Sequence, residues 1–351
     1  MIVSFDTIIM YPSYRITKKS IRLIAEIARL IGRLEGLTSF VPTPQLRKQN
    51  KIKTIHGTLS IEGNTLSLEQ ITAIVENKKV IGPSKNILEV NNAITAYADL
   101  TKYKPYSLGS LCKAHKIFMN GLVHEPGKIR STKVSILKGC QVSRVAPQPK
   151  MLPRLLKNLF DYLGNNSDEH PLIKSAVFHY EFESIHPFID GNGRLGRFWQ
   201  TLILFTYNPI FQYIPIEKII KENQKEYYLV LEQCVKSGES SSFIEFMLEL
   251  LSRLLTDYYS EFKPEAVNVE QRIAKAKKHF KKSVFSRKDY ISLLKEISTA
   301  TASRDLKYCV DKNLVKKSGN KSITKYRFID PIKNLKSKEY KLERLECRSV
   351  Q

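Results

Sequence analysis

The chain lacks the features that mark a stapled or metal-built scaffold. Its 351 residues hold five cysteines, Cys112, Cys140, Cys234, Cys309 and Cys347, with no Cys-x-x-Cys spacing and no even set. A zinc ribbon and a disulfide framework are thereby excluded, and the thiols are expected to be reduced. No window approaches the roughly 20 consecutive apolar residues of a membrane helix. The first residues, Met1 to Asp6, form no basic leader followed by an apolar run. The expectation is a soluble, cytoplasmic protein with no membrane partner. There is no internal repeat and no low-complexity tract. Hydrophobic residues make up 42% of the chain, enough to bury sizeable cores, and the length suits two domains.

Acidic residues are scarce toward one end. Up to residue 270 there are 34 basic and 26 acidic residues, and beyond it 23 and 8, so the last 81 residues carry +15 of the total +23. Such asymmetry points to a separate module that meets phosphate, an acidic partner or an anionic surface; the alternative is a solvated lysine-rich tail.

Most of the first 260 residues carries helical signals. Ile21, Ile24, Ala25, Ala28 and Ile31 recur at helical spacing, and a second helix is expected from Lys85 to Leu100, with Val41-Pro42-Thr43-Pro44 breaking the chain between them. From Gly127 to Pro149 the pattern turns to β-branched residues with Gly and Pro, which predicts a short hairpin. Further helices are expected at Leu152–Leu163, Pro171–Ile185, Arg194–Phe205, Ile219–Val235 and Phe243–Tyr258. A polar stretch at Phe262-Lys263-Pro264-Glu265 reads as a link to the basic module.

The loop His186-Pro187-Phe188-Ile189-Asp190-Gly191-Asn192-Gly193-Arg194-Leu195-Gly196-Arg197 concentrates chemistry. Gly191 and Gly193 permit a sharp turn and a close approach of amides to a ligand, where a new helix opens with its first amides unpaired. That is an anion site. Gly191 to Gly196 also fits the dinucleotide pattern Gly-x-Gly-x-x-Gly, but a helix and not a strand precedes it, so a Rossmann site is rejected; the P-loop ending is absent. His186 is of a type that titrates near 6.5, suited to taking a proton from a hydroxyl. Asp190 is a hard oxygen ligand for Mg²⁺. Arg194 and Arg197 sit three apart on the first helical turn, where guanidinium forks suit phosphate oxygens. Together these are the parts for displacement at phosphorus. The cradle alone does not name the nucleotide.

The order His-x-Phe-x-Asp-Gly-Asn-Gly-Arg-x-x-Arg matches the signature of the Fic (Fic/Doc) family without departure, and the chain resembles that family over about residues 58 to 260. The resemblance implies a mainly α, Fic-type helical bundle with a small β-hairpin flap. It further implies transfer of AMP from ATP to a hydroxyl of a target protein, with pyrophosphate leaving. Carried onto this chain, His186 would deprotonate the hydroxyl, Asp190 would hold Mg²⁺, and Gly191, Asn192, Gly193 and Arg194 would bind phosphates, with Arg197 reserved for the γ-phosphate. Val134, Ser135, Ile136 and Leu137 would align the target as a flap by strand-like pairing. Tyr227 and Tyr228 would line the adenine site on this resemblance, with core packing the expected role of at least one.

Thr58-Leu59-Ser60-Ile61-Glu62-Gly63-Asn64 resembles the family's inhibitory motif, Ser/Thr-x-x-x-Glu-Gly/Asn. Glu62 would then pair with Arg197 and take the γ-phosphate position, since one fork cannot serve two anions bidentately. The alternative is that Glu62 positions water for removal of AMP from a modified target.

Toward the C-terminus, Ser286-Arg287-Lys288-Asp289 has capping-box form and opens a helix through Tyr290, Leu293, Leu294 and Ile297. A second helix is expected from Thr301 to Asn313, then a hairpin around Ser318-Gly319-Asn320, an arrangement that resembles a winged helix-turn-helix. Such a module could place Ser303, Arg304 and Lys307 in a DNA groove with Lys316, Lys317, Lys321 and Lys325 near the backbone, or it could dock a protein or brace the core. The expected layout is an N-terminal helical region with the inhibitory motif (1–100), the Fic catalytic core (101–262), the winged helix-turn-helix (270–330) and a basic tail (331–351). Partners on this reading are a target protein, the chain itself, DNA, or a second copy in a homodimer. A rival reading makes the protein a DNA-binding regulator whose Fic core is a sensor or self-modifying switch.

Overall fold

A computed structural model of the chain describes residues 12–37, 43–138, 141–164, 169–262, 268–294, 297–320 and 323–329. Its contacts separate into two units, 1–263 and 264–351. Val41, Pro42, the link residues 263–265, Lys321 and the basic tail lie outside the described residues, as do the side chains of Ile136 and Leu137.

In the first unit, helix α1 (Lys18–Glu35) begins where Thr17 Oγ1 accepts a hydrogen bond from the Ser20 amide at 3.1 Å. Its buried stripe is Leu23, Ile27, Leu30, Ile31 and Leu34, set against the helix Ser241–Phe262. This corrects the stripe expected through Ile21, Ile24, Ala25 and Ala28, because Ile21, Ala25 and Ala28 are exposed. Both stripes have helical spacing, and the one with the larger side chains removes more apolar area from water.

Helix α2 (Pro44–Ile61) starts at the expected break, with Thr43 as its cap and Pro44 in the first turn, where a missing amide costs no bond. The apolar period does not reveal α2, because buried Asn50, Thr54 and Thr58 interrupt the run of Ile52, Ile55 and Leu59. Next come α3 (Leu68–Val75) and α4 (Ser84–Ala96); the helix expected to reach Leu100 stops at Ala96, and Asp99 caps a separate 3₁₀ turn. After α5 (Leu108–Phe118), β1 (Ser135–Lys138) and β2 (Gln141–Val145) pair antiparallel, with a register shift after Ile136.

Helices α6 (Leu152–Gly164), α7 (Pro171–Ile185) and α8 (Asn192–Tyr207) follow. α7 and α8 pack on each other at the centre of the core, where Phe178, Phe182, Phe198 and Trp199 are fully buried. The helix expected over Ile219–Val235 is two, α9 (Ile216–Glu222) and α10 (Gln224–Ser237). Asn223 makes the break: its Nδ2 donates to the Ile219 carbonyl at 2.7 Å, competing with the backbone. α11 (Ser241–Phe262) closes the unit. No helix among the described residues is long and apolar enough to cross a membrane.

The second unit holds α12 (Val269–Phe280), α13 (Arg287–Leu294), α14 (Thr299–Asp311) and an antiparallel pair, β3 (Val315–Ser318) with β4 (Lys325–Phe328). Ser286 and Asp289 exchange hydrogen bonds at the start of α13, as capping-box chemistry requires. The described part of α13 reaches Leu294 and Ile297 lies outside a helix, and α14 runs from Thr299 and not Thr301. Phe285 exchanges backbone bonds with Tyr326 at 2.9 and 2.8 Å, adding a bridge to the hairpin. The unit has its own core of Ile273, Phe285, Tyr290, Leu306, Val315 and Phe328.

Candidate active site

The loop between α7 and α8 is held from inside. Its first residue, His186, takes a left-handed backbone (φ 49°), with its amide bonded to the Phe182 carbonyl at 2.9 Å. Asn192 closes the loop reciprocally: Oδ1 accepts from the Phe188 amide and Nδ2 donates to the Phe188 carbonyl, each at 2.9 Å. The Asn192 side chain is therefore committed to the loop, and what it offers a ligand is its backbone amide. Gly191 (φ 84°) needs its missing Cβ twice, for the backbone angle and because a Cβ would strike Met119.

Two residues outside the loop fix it further. His115 on α5 stacks on Phe188 with ring centroids 3.7 Å apart. Its Nδ1 accepts from the Gly127 amide at 2.8 Å, so Nε2 carries the proton and donates to the Asp190 carbonyl at 2.9 Å. Burial pushes its pKa down to about 4, which keeps this neutral tautomer. Arg130 is 3% exposed. Its Nε donates to the His186 carbonyl at 2.8 Å, Nη1 to Thr132 and Nη2 to Pro147, while its amide bonds the Pro187 carbonyl. One side chain thus joins both ends of the β1–β2 hairpin to the histidine loop.

The first amides of α8 have no intrahelical acceptor, and they open beside two arginines. Arg197, 2% exposed, donates from Nε to Thr58 Oγ1 and from Nη2 to the Thr58 carbonyl, both at 3.0 Å. The same Nη2 lies 2.5 Å from Glu62 Oε1. Burial alone would lower the pKa of Arg197, but Glu62, Tyr227 and Glu183 hold it above its ordinary value. Glu62 stands over Gly193, where any Cβ would run into its carboxylate. The turn that places Glu62 there ends α2: Gly63 (φ 88°) bonds back to Ser60 and Asn64 to Leu59, the Schellman pattern. A carboxylate at this helix N-terminus gains from the helix dipole. Arg194 bonds Glu89 and Asp190, each at 3.1 Å.

Asp190 is 49% exposed, and its Oδ1 also accepts from the Gly191 amide. Among the described residues no cluster of three or more His, Cys, Asp or Glu could hold a metal. One accessible carboxylate fits Mg²⁺ that shares phosphate oxygens and water, and does not fit a resident metal held by protein alone. Of the two tyrosines, Tyr227 is a core residue, 2% exposed, with its hydroxyl 3.0 Å from His179 Nε2; Tyr228 is half-buried beside Gln224. Val134 is half-buried and Ser135 exposed, at the start of β1. His186, Asp190, Gly191, Gly193, Arg194, Arg197 and Glu62 are thus gathered at one end of α8. His115 and Glu89 carry no isolated signal in the sequence, whereas Asn64 closes the motif that begins at Thr58. The nearest signal for His115 is its place among Leu111, Ala114 and Phe118 on a buried helix face.

Comparison with known proteins bears on this geometry. Residues 105–204 match the Fic/DOC family model. A crystal structure of a Fic family protein from Desulfovibrio desulfuricans is 36% identical, with TM-score 0.69 over 91% of this chain and 98% of that one. Among named relatives, protein adenylyltransferase fic-1 of Caenorhabditis elegans is 27% identical over 72% of this chain and 49% of its own length. Protein adenylyltransferase Fic of Nematostella vectensis is 30% identical over 62% and 51%. The chain spans about half the length of these adenylyltransferases.

Proposed function

This chain belongs to the Fic/DOC family, and on that premise we propose that it transfers AMP from ATP to a Ser, Thr or Tyr hydroxyl of a target protein or of itself, and that Glu62 holds the reaction back. One observation carries the reading: the mouth of α8 is an anion site, and the chain fills it with its own carboxylate.

In the forward reaction His186 takes the proton of the target hydroxyl. The hydroxyl oxygen bonds to the α-phosphorus, the bond from that phosphorus to the oxygen bridging to the β-phosphate breaks, and pyrophosphate leaves. The amides of Asn192, Gly193 and Arg194 receive phosphate oxygens without reorganising, because Asn192 and His115 have already set the loop. Asp190 would hold Mg²⁺, which when bound neutralises charge on the phosphates. Arg197 serves the γ-phosphate only once Glu62 has left it. The β1–β2 hairpin lies beside the loop through Arg130 and offers main-chain pairing to the target segment.

Radiolabelled ATP incubated with the wild-type chain, Glu62→Gly and Glu62→Gly/His186→Ala tests this. The expected order is weak, strong and absent labelling of protein. Equal labelling by wild type and Glu62→Gly would remove the inhibitory role, and labelling that survives His186→Ala would remove the base.

The second unit supports a winged helix-turn-helix that contacts DNA. α14 leaves Arg304 and Lys307 exposed, and the hairpin exposes Lys316, Lys317 and Lys325. Arg287 Nη1 donates to Ser303 Oγ at 3.1 Å, bracing α13 against α14. Phosphate contacts would make duplex binding fall with salt, and Arg304→Ala/Lys307→Ala should reduce the logarithmic salt slope by about 2. Binding with an unchanged slope would assign the charge to another partner.

A further inference from the structure

The turn that delivers Glu62 to Arg197 also reaches the other arginine. Two residues past Glu62, Asn64 Nδ2 donates to Glu89 Oε2 at 2.8 Å, and Glu89 Oε1 accepts from Arg194 Nη1 at 3.1 Å. Arg194 Nη2 then donates to Asp190 Oδ1 at 3.1 Å. Asn64, Glu89 and Arg194 are 8%, 7% and 3% exposed, so the relay is out of water until it reaches Asp190. We propose that Glu89 is a positioning residue that aims the Arg194 guanidinium at the phosphate cradle, and that Asn64 makes this aim depend on the inhibitory turn. The inference rests on the reading that Arg194 meets nucleotide phosphates.

The geometry carries it as follows. Arg194 Nε is buried with no hydrogen-bond partner among the described residues. The fork therefore hangs between two anchors, Glu89 on α4 and Asp190 on the loop. Remove Glu89, and the guanidinium keeps only the half-exposed Asp190 as a carboxylate partner. Glu89 has to be a carboxylate, because each oxygen faces a donor. The Asn64 amide is oriented by its own bonds: Oδ1 accepts from the Leu66 amide at 3.1 Å, which turns Nδ2 to Glu89 and to the Asn86 carbonyl. A glutamine at 89 would set an N–H against either Arg194 or Asn64. Glu62 and Asn64 lie on one Schellman turn, so a displacement of that turn frees Arg197 directly and loosens Arg194 through Glu89. Release of inhibition and grip on the phosphates are then set by one segment.

Two measurements test the proposal. In the ligand-free chain, phenylglyoxal labelling mapped by mass spectrometry should show Arg194 about tenfold more reactive in Glu89→Gln than in wild type, with Arg197 unchanged. No change at Arg194, or a rise at both arginines as in general loosening, overturns it. In the Glu62→Gly background, calorimetric titration should show ATP binding weakened about tenfold by Glu89→Gln and about fivefold by Asn64→Ala, with adenosine binding unchanged. Adenosine lacks phosphates, so a parallel loss for both ligands, or none for ATP, overturns it. Asn64→Ala keeps the second measurement available if Glu89→Gln does not fold. Should the Glu62→Gly parent bind no ATP, the adenylyl-transfer reading fails while the labelling still decides the role of Glu89.

Discussion

Each unit of the protein sets an arginine against a carboxylate from another element, and two of these pairs, Arg197–Glu62 in the first unit and Arg272–Asp305 in the second, are built for different ends. In the second unit Arg272 grips Asp305 with two bonds, Nε to Oδ2 at 2.6 Å and Nη2 to Oδ1 at 2.7 Å, and Tyr290 adds a third to the same carboxylate. Asp305 is 3% exposed and its partners surround it. In the first unit Arg197 gives Glu62 a single nitrogen, keeps Thr58 as a second partner, and the Glu62 carboxylate is 30% exposed over a helix mouth. A pair whose arginine is anchored elsewhere and whose acid faces an opening can exchange that acid for another anion. A pair whose acid is buried among its own donors is a staple.

Removing the acid should separate the two. Asp305→Ala removes the carboxylate that Arg272 and Tyr290 share, and should cost the second unit about 3 kcal/mol, the low end for a broken buried pair because Arg272 retains some exposure. Hydrogen exchange at the α12 and α14 amides would read this, and protection unchanged from wild type would end the distinction. Glu62→Gly should do the opposite. It leaves Arg197 its two bonds to Thr58, costs only about 1 kcal/mol in stability, and raises AMP transfer about 10- to 100-fold by freeing one charge-assisted bond for phosphate. Loss of folding without gain of transfer would make the Glu62 pair a staple too.

The same contrast explains what could be read from the sequence. Residues that must meet one small ligand tend to share a loop, and His186 to Arg197 stand in a row. The Thr58 to Asn64 motif is legible for a similar reason: Gly63 and Asn64 terminate a helix in a fixed pattern and Glu62 rides on it. The supports are scattered. His115 and Glu89 come from separate helices, and each alone resembles an ordinary polar residue on a helix, while Arg130 stands in the Gly127-Lys128-Ile129-Arg130 segment that resembles the family's flap. The fold shows the same limit. Central helices such as α7 are legible because large apolar side chains dominate their buried positions, whereas α2 is hidden by buried Asn50, whose Nδ2 is satisfied by the Tyr213 carbonyl at 2.9 Å. Hydrogen bonds made at long range remove the cost that a local pattern assigns to a buried polar residue. The buried face of α1 is ambiguous in the sequence because two apolar stripes compete and only the partner helix decides between them.

Acid gives the finest division between the units. The first unit buries two histidines that bond as neutral rings: burial pushes His115 down to about 4 and His179 down to about 3. Each binds a proton more weakly when folded than at its unfolded value of about 6.5. Below that pH the unfolded chain takes up protons the folded unit refuses, so stability falls as pH drops, by up to about 1.4 kcal/mol per pH unit for each histidine. The decline continues until the folded values near 4 and 3 are passed. Among the described residues of the second unit the histidine is His279, and it lies exposed on α12. His115→Gln should be less stable than wild type at pH 7.5, having lost one of the bonds to Gly127 and Asp190, yet its urea midpoint should fall less between pH 6.5 and 5. Parallel slopes for wild type and variant would mean that His115 is not held neutral by the fold. The tautomer that ties Gly127 to the Asp190 carbonyl would then lose its justification, and with it the account of how the anion loop is set before any nucleotide arrives.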